Sequence, residues 1–339
     1  MSLAQHIIYI LSSILFFGIW ILPKPIQQLL AIIVYFIVAD IIRYRRKVIV
    51  NNLNNSFPEK NEKEIRQITR KYYLHLSYMI IEVINLRYSS RKRIAKLTNV
   101  ETPEILQDML KKKRNVLLVL GHYGNWEFGS SRVHDFGYRG AAIYKKLTSE
   151  AFELFYQKMR LNMGVEPVEM RHTLRKLVAM RNSGEPFALL SVADQTPTRS
   201  QIHYWLNFLN QDTGVFMGPE HLAKKFDMPV LYTEIDRLGF CKFNIKLKII
   251  TENPTKEPDY AIINTFYKLL EESINKKPEI WMWSHRRWKH KRPADYSIPP
   301  PQTTTNIDIE KKSTQKKHIA LNNKKLEAQK EFLADNLNK

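Results

Sequence analysis

The sequence predicts an α/β domain, a mixed β-sheet flanked by helices, preceded by an apolar N-terminal membrane helix. Three observations carry this. Short apolar runs of strand length alternate with helical segments from about residue 115 to 276. Cys241, Phe243, Ile245, Leu247 and Ile249 alternate with Lys242, Asn244, Lys246 and Lys248, the period of a strand solvated on one face. Two long apolar runs occupy the first 42 residues.

Ile7 to Leu22 is uncharged and rich in Ile, Leu, Phe and Trp. It is slightly short of the roughly 17–25 residues a membrane span needs. Pro23-Lys24-Pro25 breaks the helix, and Ile26 to Ile42 forms a second run carrying Gln27, Gln28 and Asp40. A cleaved signal peptide fits poorly, because no Lys or Arg precedes the first run and no small-residue cleavage site follows it. A buried core helix is the competing structural reading. Arg43, Arg45, Arg46 and Lys47 come directly after the runs, which by the positive-inside rule puts the chain from residue 43 onward in the cytoplasm.

Farther along, Asn61 to Arg87 carries apolar residues near helical spacing, and Asn115 to Leu120 reads as the first strand. Thr148 to Asn162 reads as a helix with a Thr or Ser cap, and Phe187 to Val192 as a buried strand ending at Ala193-Asp194-Gln195. Pro219 to Phe226 is a short helix, Pro229 to Ile235 a strand, and Asp259 to Lys276 an amphipathic helix. From about Tyr296 a Pro299–Pro301 and Thr303–Thr305 linker leads into Lys-, Asn- and Gln-rich sequence that reads as disordered, with a short helix conceivable over Leu326–Leu333. The expected organisation is an anchor over 1–48, a catalytic domain over 49–295 and a basic tail over 296–339.

The chain has 339 residues, 44% hydrophobic, enough for one sizeable domain plus appendages. A formal net charge of +20 calls for anionic partners: phospholipid headgroups, phosphorylated substrates, an acidic carrier or nucleic acid. Nucleic acid is disfavoured, since the basic residues are spread along the chain and no nucleic-acid-binding motif is present. One cysteine excludes an intramolecular disulfide framework and fits a reducing compartment.

The most informative stretch runs from Asn115 to Gly129. The apolar run Val116–Leu120 stops at Gly121, and His122-Tyr-Gly-Asn-Trp-Glu127 follows. A histidine at a strand exit sits at the rim of a sheet, where α/β proteins keep their clefts. On a helix the five-residue offset to Glu127 would separate the side chains by about 140°. They can meet if His122 lies in the turn and Glu127 in the first helical turn. A carboxylate behind the imidazole would fix its tautomer and raise its basicity, as a general base needs. Such a base could act on a substrate hydroxyl with no serine or cysteine nucleophile. A zinc site is disfavoured: the His-Glu-x-x-His spacing is absent and Cys241 stands alone.

These residues, with others in order, resemble the late acyltransferases of lipid A biosynthesis, the lauroyl- and myristoyl-transferase branch of the glycerolipid acyltransferases that share a His-x-x-x-x-acid motif. The resemblance runs from the anchor to about Pro293. Besides Gly121-His122 to Glu127, it rests on Asn52-Leu53, Phe57-Pro58-Glu59, Arg160 with Gly164, Ala193-Asp194-Gln195 and Trp283-Ser-His285-Arg286-Arg287-Trp288-Lys289. It implies transfer of an acyl group from an acyl carrier protein thioester to a hydroxyl of a phosphorylated glucosamine disaccharide lipid, at the cytoplasmic face of a bacterial inner membrane. No cofactor beyond the thioester co-substrate and no metal is expected.

Matched position by position, His122 is the expected general base and Glu127 its orienting partner. Arg160 is expected at a phosphate or the developing oxyanion, and Asp194 is expected to hold Arg160 or the local loop. Lys145 stands where the family often has arginine, keeping the charge but losing the bidentate fork. Trp281, Trp283 and Trp288 with Arg286 and Arg287 are expected at the membrane interface, the arginines gripping a phosphate. An aminolipid or lysophospholipid acceptor is the alternative within the same chemistry. A non-enzymatic basic membrane-binding protein is the alternative outside it.

Overall fold

The computed structural model describes residues 2–304. The expected short helix over 326–333 and most of the expected tail lie outside them.

The helices are α1 (Leu3–Ile21), α2 (Lys24–Phe36), α3 (Arg46–Ser56), α4 (Glu62–Tyr88), α5 (Arg91–Ala95), α6 (Pro103–Lys111), α7 (Glu150–Asn162), α8 (Thr173–Asn182), α9 (Gly218–Phe226) and α10 (Ala261–Lys276). The strands are β1 (Thr98–Val100), β2 (Val116–Leu120), β3 (Arg139–Tyr144), β4 (Val165–Glu169), β5 (Phe187–Val192), β6 (Tyr204–Phe208), β7 (Gln211–Val215), β8 (Val230–Gly239) and β9 (Lys242–Thr251). Among the described residues, seven strands form one sheet in the order β1-β9-β8-β2-β5-β3-β4, while β6 and β7 make a separate antiparallel hairpin. Every pairing in the large sheet is parallel except β8 with β9. The expected mixed sheet is therefore present, although β1 precedes the segment expected to be its first strand.

β2 is central and buried along its whole length. Leu117 and Val119 pack into one core with residues of α8, α9 and α10, and Val116, Leu118 and Leu120 into a second with residues of α6 and α7. That is the continuous apolar strand of a sheet covered on both faces. α4 supplies Tyr72 and Tyr73 to the first core and Val83 and Leu86 to the second, so this one helix joins both layers. It begins with a capping box in which the Asn61 side chain accepts from Lys63 and Glu64 while Glu64 accepts from the Asn61 backbone.

α1 and α2 are each long and apolar enough, with the helical continuation of α2 to Ile41, to cross a membrane by length and composition. Both are docked on the body. Gln27 of α2 is buried, and its amide donates to the terminal carbonyls Ile19, Trp20 and Leu22 at the end of α1 while its oxygen accepts from Asn85 of α4. The chain end described here also returns to the body: Thr304 is fully buried and bonded to Thr265 and Ile250. Order thus continues past the Pro299–Pro301 linker.

Candidate active site

The register of the sheet builds the site. β2 and β5 are adjacent and parallel, with Leu120 opposite Val192. Two residues beyond each strand end stand His122 and Asp194, side by side at the carboxyl edge of the sheet. Asp194 Oδ1 lies 2.5 Å from His122 Nδ1, and Oδ2 accepts from the His122 backbone N–H at 2.8 Å and from Trp281 Nε1 at 2.7 Å. Asp194 is 2% exposed. Burial alone would raise its pKa, but the His122 charge and the three hydrogen bonds outweigh that and hold it below the usual carboxylate range.

With Nδ1 donating to Asp194, the lone pair of His122 is on Nε2. That nitrogen faces the side-chain amide of Gln195 at 3.0 Å. The ring is set against Trp126, centroids 4.6 Å apart and nearly edge-on. The backbone is held as firmly. Gly124 N–H donates to Ile280 O and Met282 N–H to His122 O, so residues 122–124 pair with 280–282. Gly124 has φ +64°, and a Cβ there would sit 2.1 Å from the Ile235 carbonyl oxygen, so no other residue fits this turn.

Glu127 is not the imidazole's partner. Its carboxylate takes Arg160 Nη2 at 2.8 Å and Nε at 3.3 Å, a forked ion pair between a buried carboxylate and a largely buried guanidinium. The expected pairings are exchanged: Asp194 orients His122, and Glu127, not Asp194, holds Arg160. The reason is local. Trp126 and Glu127 open a 3₁₀ turn over Trp126–Ser130, in which Trp126 takes the side facing the imidazole and Glu127 meets α7. The Arg160 guanidinium also lies over the rings of Tyr144 and Tyr156, at 5.3 and 5.7 Å. Lys145 follows Tyr144 off the end of β3 and is exposed.

The tryptophan–arginine cluster lies largely inside the protein and not at its surface, Arg286 excepted. Trp283 and Arg287 are buried, at 0% and 2% exposure, and neither is at a membrane interface. Arg287 donates to the Gly214 carbonyl and the Tyr267 hydroxyl, and the Trp283 indole donates to the Pro278 carbonyl. Arg287 therefore clamps the β6–β7 hairpin to α10 and cannot grip a phosphate. Arg286 is exposed. Two other motif residues support this segment, Asn52 donating to the carbonyls of Trp283 and His285 and Phe57 packing on Trp283; the Tyr72 hydroxyl of α4 also bonds Ser284.

Trp281, expected at the membrane interface, is instead buried and donates to Asp194, and Gln195 and His285 are site residues to which the motifs assigned no role. His285 Nε2 accepts from the Thr196 N–H. Burial, with the Arg287 charge adding to it against the pull of Asp194, pushes its pKa down to about 4. At neutral pH it is therefore uncharged and serves as a hydrogen-bond acceptor for the backbone of Thr196. Gln195 was signalled only by its place after Asp194.

A family model described as bacterial lipid A biosynthesis acyltransferase matches residues 2–290. The chain belongs to that family. It is an acyltransferase, and the paired imidazole and carboxylate at the sheet edge are the candidate machinery of that transfer. Similar curated proteins include an Escherichia coli (strain K12) lipid A biosynthesis lauroyltransferase, 24% identical over 273 residues, covering 79% of this chain and 87% of the relative. An E. coli lipid A biosynthesis palmitoleoyltransferase is 22% identical over 283 residues, covering 83% and 90%. A Haemophilus influenzae lipid A biosynthesis acyltransferase is 21% identical over 247 residues, covering 72% and 78%.

Proposed function

We propose that this acyltransferase moves a fatty acyl group from an acyl carrier protein thioester to a hydroxyl of a phosphorylated lipid A precursor, at the cytoplasmic face of the inner membrane and with no cofactor beyond the thioester. The observation that carries the chemistry is the His122–Asp194 pair, which leaves the Nε2 lone pair against the amide of the exposed Gln195, a partner an acceptor hydroxyl would displace. In this reading the Nε2 lone pair takes the proton of the acceptor hydroxyl as its oxygen attacks the thioester carbonyl. The tetrahedral intermediate collapses with cleavage of the C–S bond, and the imidazolium returns the proton to the departing thiolate. No covalent acyl-enzyme forms. Asp194 stays ionised and stabilises the imidazolium while holding the tautomer.

Arg160 has its charge matched by Glu127, so the pair shapes the wall of the site as a unit. Arg286 and Lys145, both exposed, are the proposed contacts for acceptor phosphate. A net charge of +20 supports an anionic carrier and a phosphorylated acceptor alike. The test is steady-state transfer from acyl carrier protein to phosphorylated and dephosphorylated acceptors. His122→Ala should lower turnover by about 10²–10⁴-fold with the fold intact. Near-wild-type turnover would reject the base, and equal use of the two acceptors would favour an aminolipid acceptor.

A further inference from the structure

We propose that the chain is monotopic: α1 lies in the plane of one leaflet, its apolar face immersed, and does not cross the bilayer. The inference rests on the membrane attachment proposed above and concerns its geometry.

Two faces of α1 are chemically distinct. Leu3, Ile7, Ile10, Leu11 and Ile14 are exposed, a stripe of large apolar side chains along one face of the helix. The opposite face is bonded to the catalytic body along the length of the helix. At one end, Gln5 Oε1 accepts from the Ala151 N–H and the Ser149 hydroxyl, closing the start of α7. Lys158 of α7 donates to the Tyr9 hydroxyl, and Phe16 meets Phe155 edge-on at 5.3 Å. At the other end, Tyr88 donates to the Ser13 carbonyl, Trp20 donates to Ser89, and Arg93 lies over the Trp20 ring.

From Gln5 to Trp20 is about 22 Å of helix, against about 30 Å of hydrocarbon in a bilayer. A body tied to α1 at both points cannot remain on one side of a membrane that α1 crosses. It would have to be drawn through the same depth, with the exposed charges of Glu150 and Lys158 near one end and of Arg91, Lys92 and Arg93 near the other. Charged side chains are excluded from that region unless they face protein or water.

α2 offers no independent span either. It runs along α4, Gln27 bonded to Asn85 near one end and the Tyr44 carbonyl accepting from Tyr73 just past the other, with Ala31 packed on Ile81 and Ile84 between them. Its free side carries Ile26, Leu29, Ile33 and Phe36, all exposed. Lys24 at its start and Arg43, Arg45 and Arg46 after its end are exposed cations. An apolar face flanked by cations matches one leaflet rich in anionic headgroups, the setting of an interfacial amphipathic helix.

The test fuses a polar peptide carrying one cysteine ahead of Met1 and, separately, places Asn182→Cys as a marker on the catalytic body. Cys241 is buried, so the native background carries no accessible thiol. A membrane-impermeant maleimide is applied to spheroplasts and to inverted inner-membrane vesicles. Monotopy requires both cysteines, and a third placed separately as Lys24→Cys at the start of α2, to label from the same face and none from the other. Labelling of Lys24→Cys from the opposite face would establish a two-helix span and overturn the proposal. Labelling of the fused peptide from the face opposite to Asn182→Cys would overturn the proposal and establish a span. Recovery of the full-length protein in the low-salt soluble fraction would instead overturn the membrane attachment itself, and the proposal with it.

Discussion

Replacing Asp194 by Asn removes one charge and one acceptor while leaving the shape almost unchanged, which makes it the sharpest probe of the proposed base. Asp194 accepts three hydrogen bonds, from the His122 ring, the His122 N–H and the Trp281 indole. An amide has one accepting oxygen. If that oxygen keeps the two donors now served by Oδ2, its NH₂ faces Nδ1, which must then accept. The ring proton moves to Nε2, and the lone pair that should take the hydroxyl proton is gone. The alternative flip sets an NH₂ against two N–H donors in a site excluded from water, leaving buried donors unpaired. Either outcome disables the base without disturbing the sheet. An equivalent tautomer loss in a serine protease triad costs about 10⁴ in kcat, so Asp194→Asn should lower turnover by roughly 10³–10⁴-fold. That corresponds to about 4–5.5 kcal/mol of transition-state stabilisation. The assay is initial-rate transfer from labelled acyl carrier protein to the phosphorylated acceptor in detergent micelles, with thermal unfolding of the same sample as the check on folding. A folded Asp194→Asn enzyme within tenfold of wild type would refute the claim that this carboxylate holds the active tautomer.

Two further outcomes are expected. Because Glu127 and Arg160 are buried against each other, Glu127→Gln or Arg160→Met alone should destabilise by about 3–5 kcal/mol, and the double variant by much less than the sum; additive losses in thermal unfolding would deny the coupling. The depressed pKa of His285 means that between about pH 6.5 and 4 the unfolded chain binds a proton that the folded chain does not, so stability is full above that window and falls as pH drops through it. His285→Gln should flatten the dependence of Tm on pH between 6.5 and 4, and an unchanged slope would count against the buried neutral imidazole.

The parts of the fold legible in the sequence were those with a strong local pattern. β2, β5 and β9 announce themselves by an apolar run or strict alternation, and α4 by its apolar period. β3 hides because Gly140, Ala141 and Ala142 form no large apolar run. β4 hides because Pro167 interrupts it, which an edge strand tolerates. In the site, His122 and Asp194 are each readable as polar residues leaving a strand. That they meet depends on strands 72 residues apart being neighbours in register, and no local spacing contains that. The nearer acid, Glu127, looked the better partner because sequence distance was the only distance available. Arg287 misled for the same reason. Its carbonyl partner at Gly214 is 73 residues away, so a clamp inside the protein resembled a cation awaiting phosphate.

The hydrogen bond from the Trp281 indole to Asp194 also orders events during synthesis. The three groups that define the base lie at 122, 194 and 281, and the strand-like contact of residues 122–124 is with 280–282. A chain still lacking its last sixty residues can pair β2 with β5, yet has neither the indole that anchors the carboxylate nor the backbone that pins the histidine turn. Contacts between such distant segments form after local ones, because the intervening loop must first be closed. The base is therefore complete only once the segment through Met282 has packed against the turn after β2.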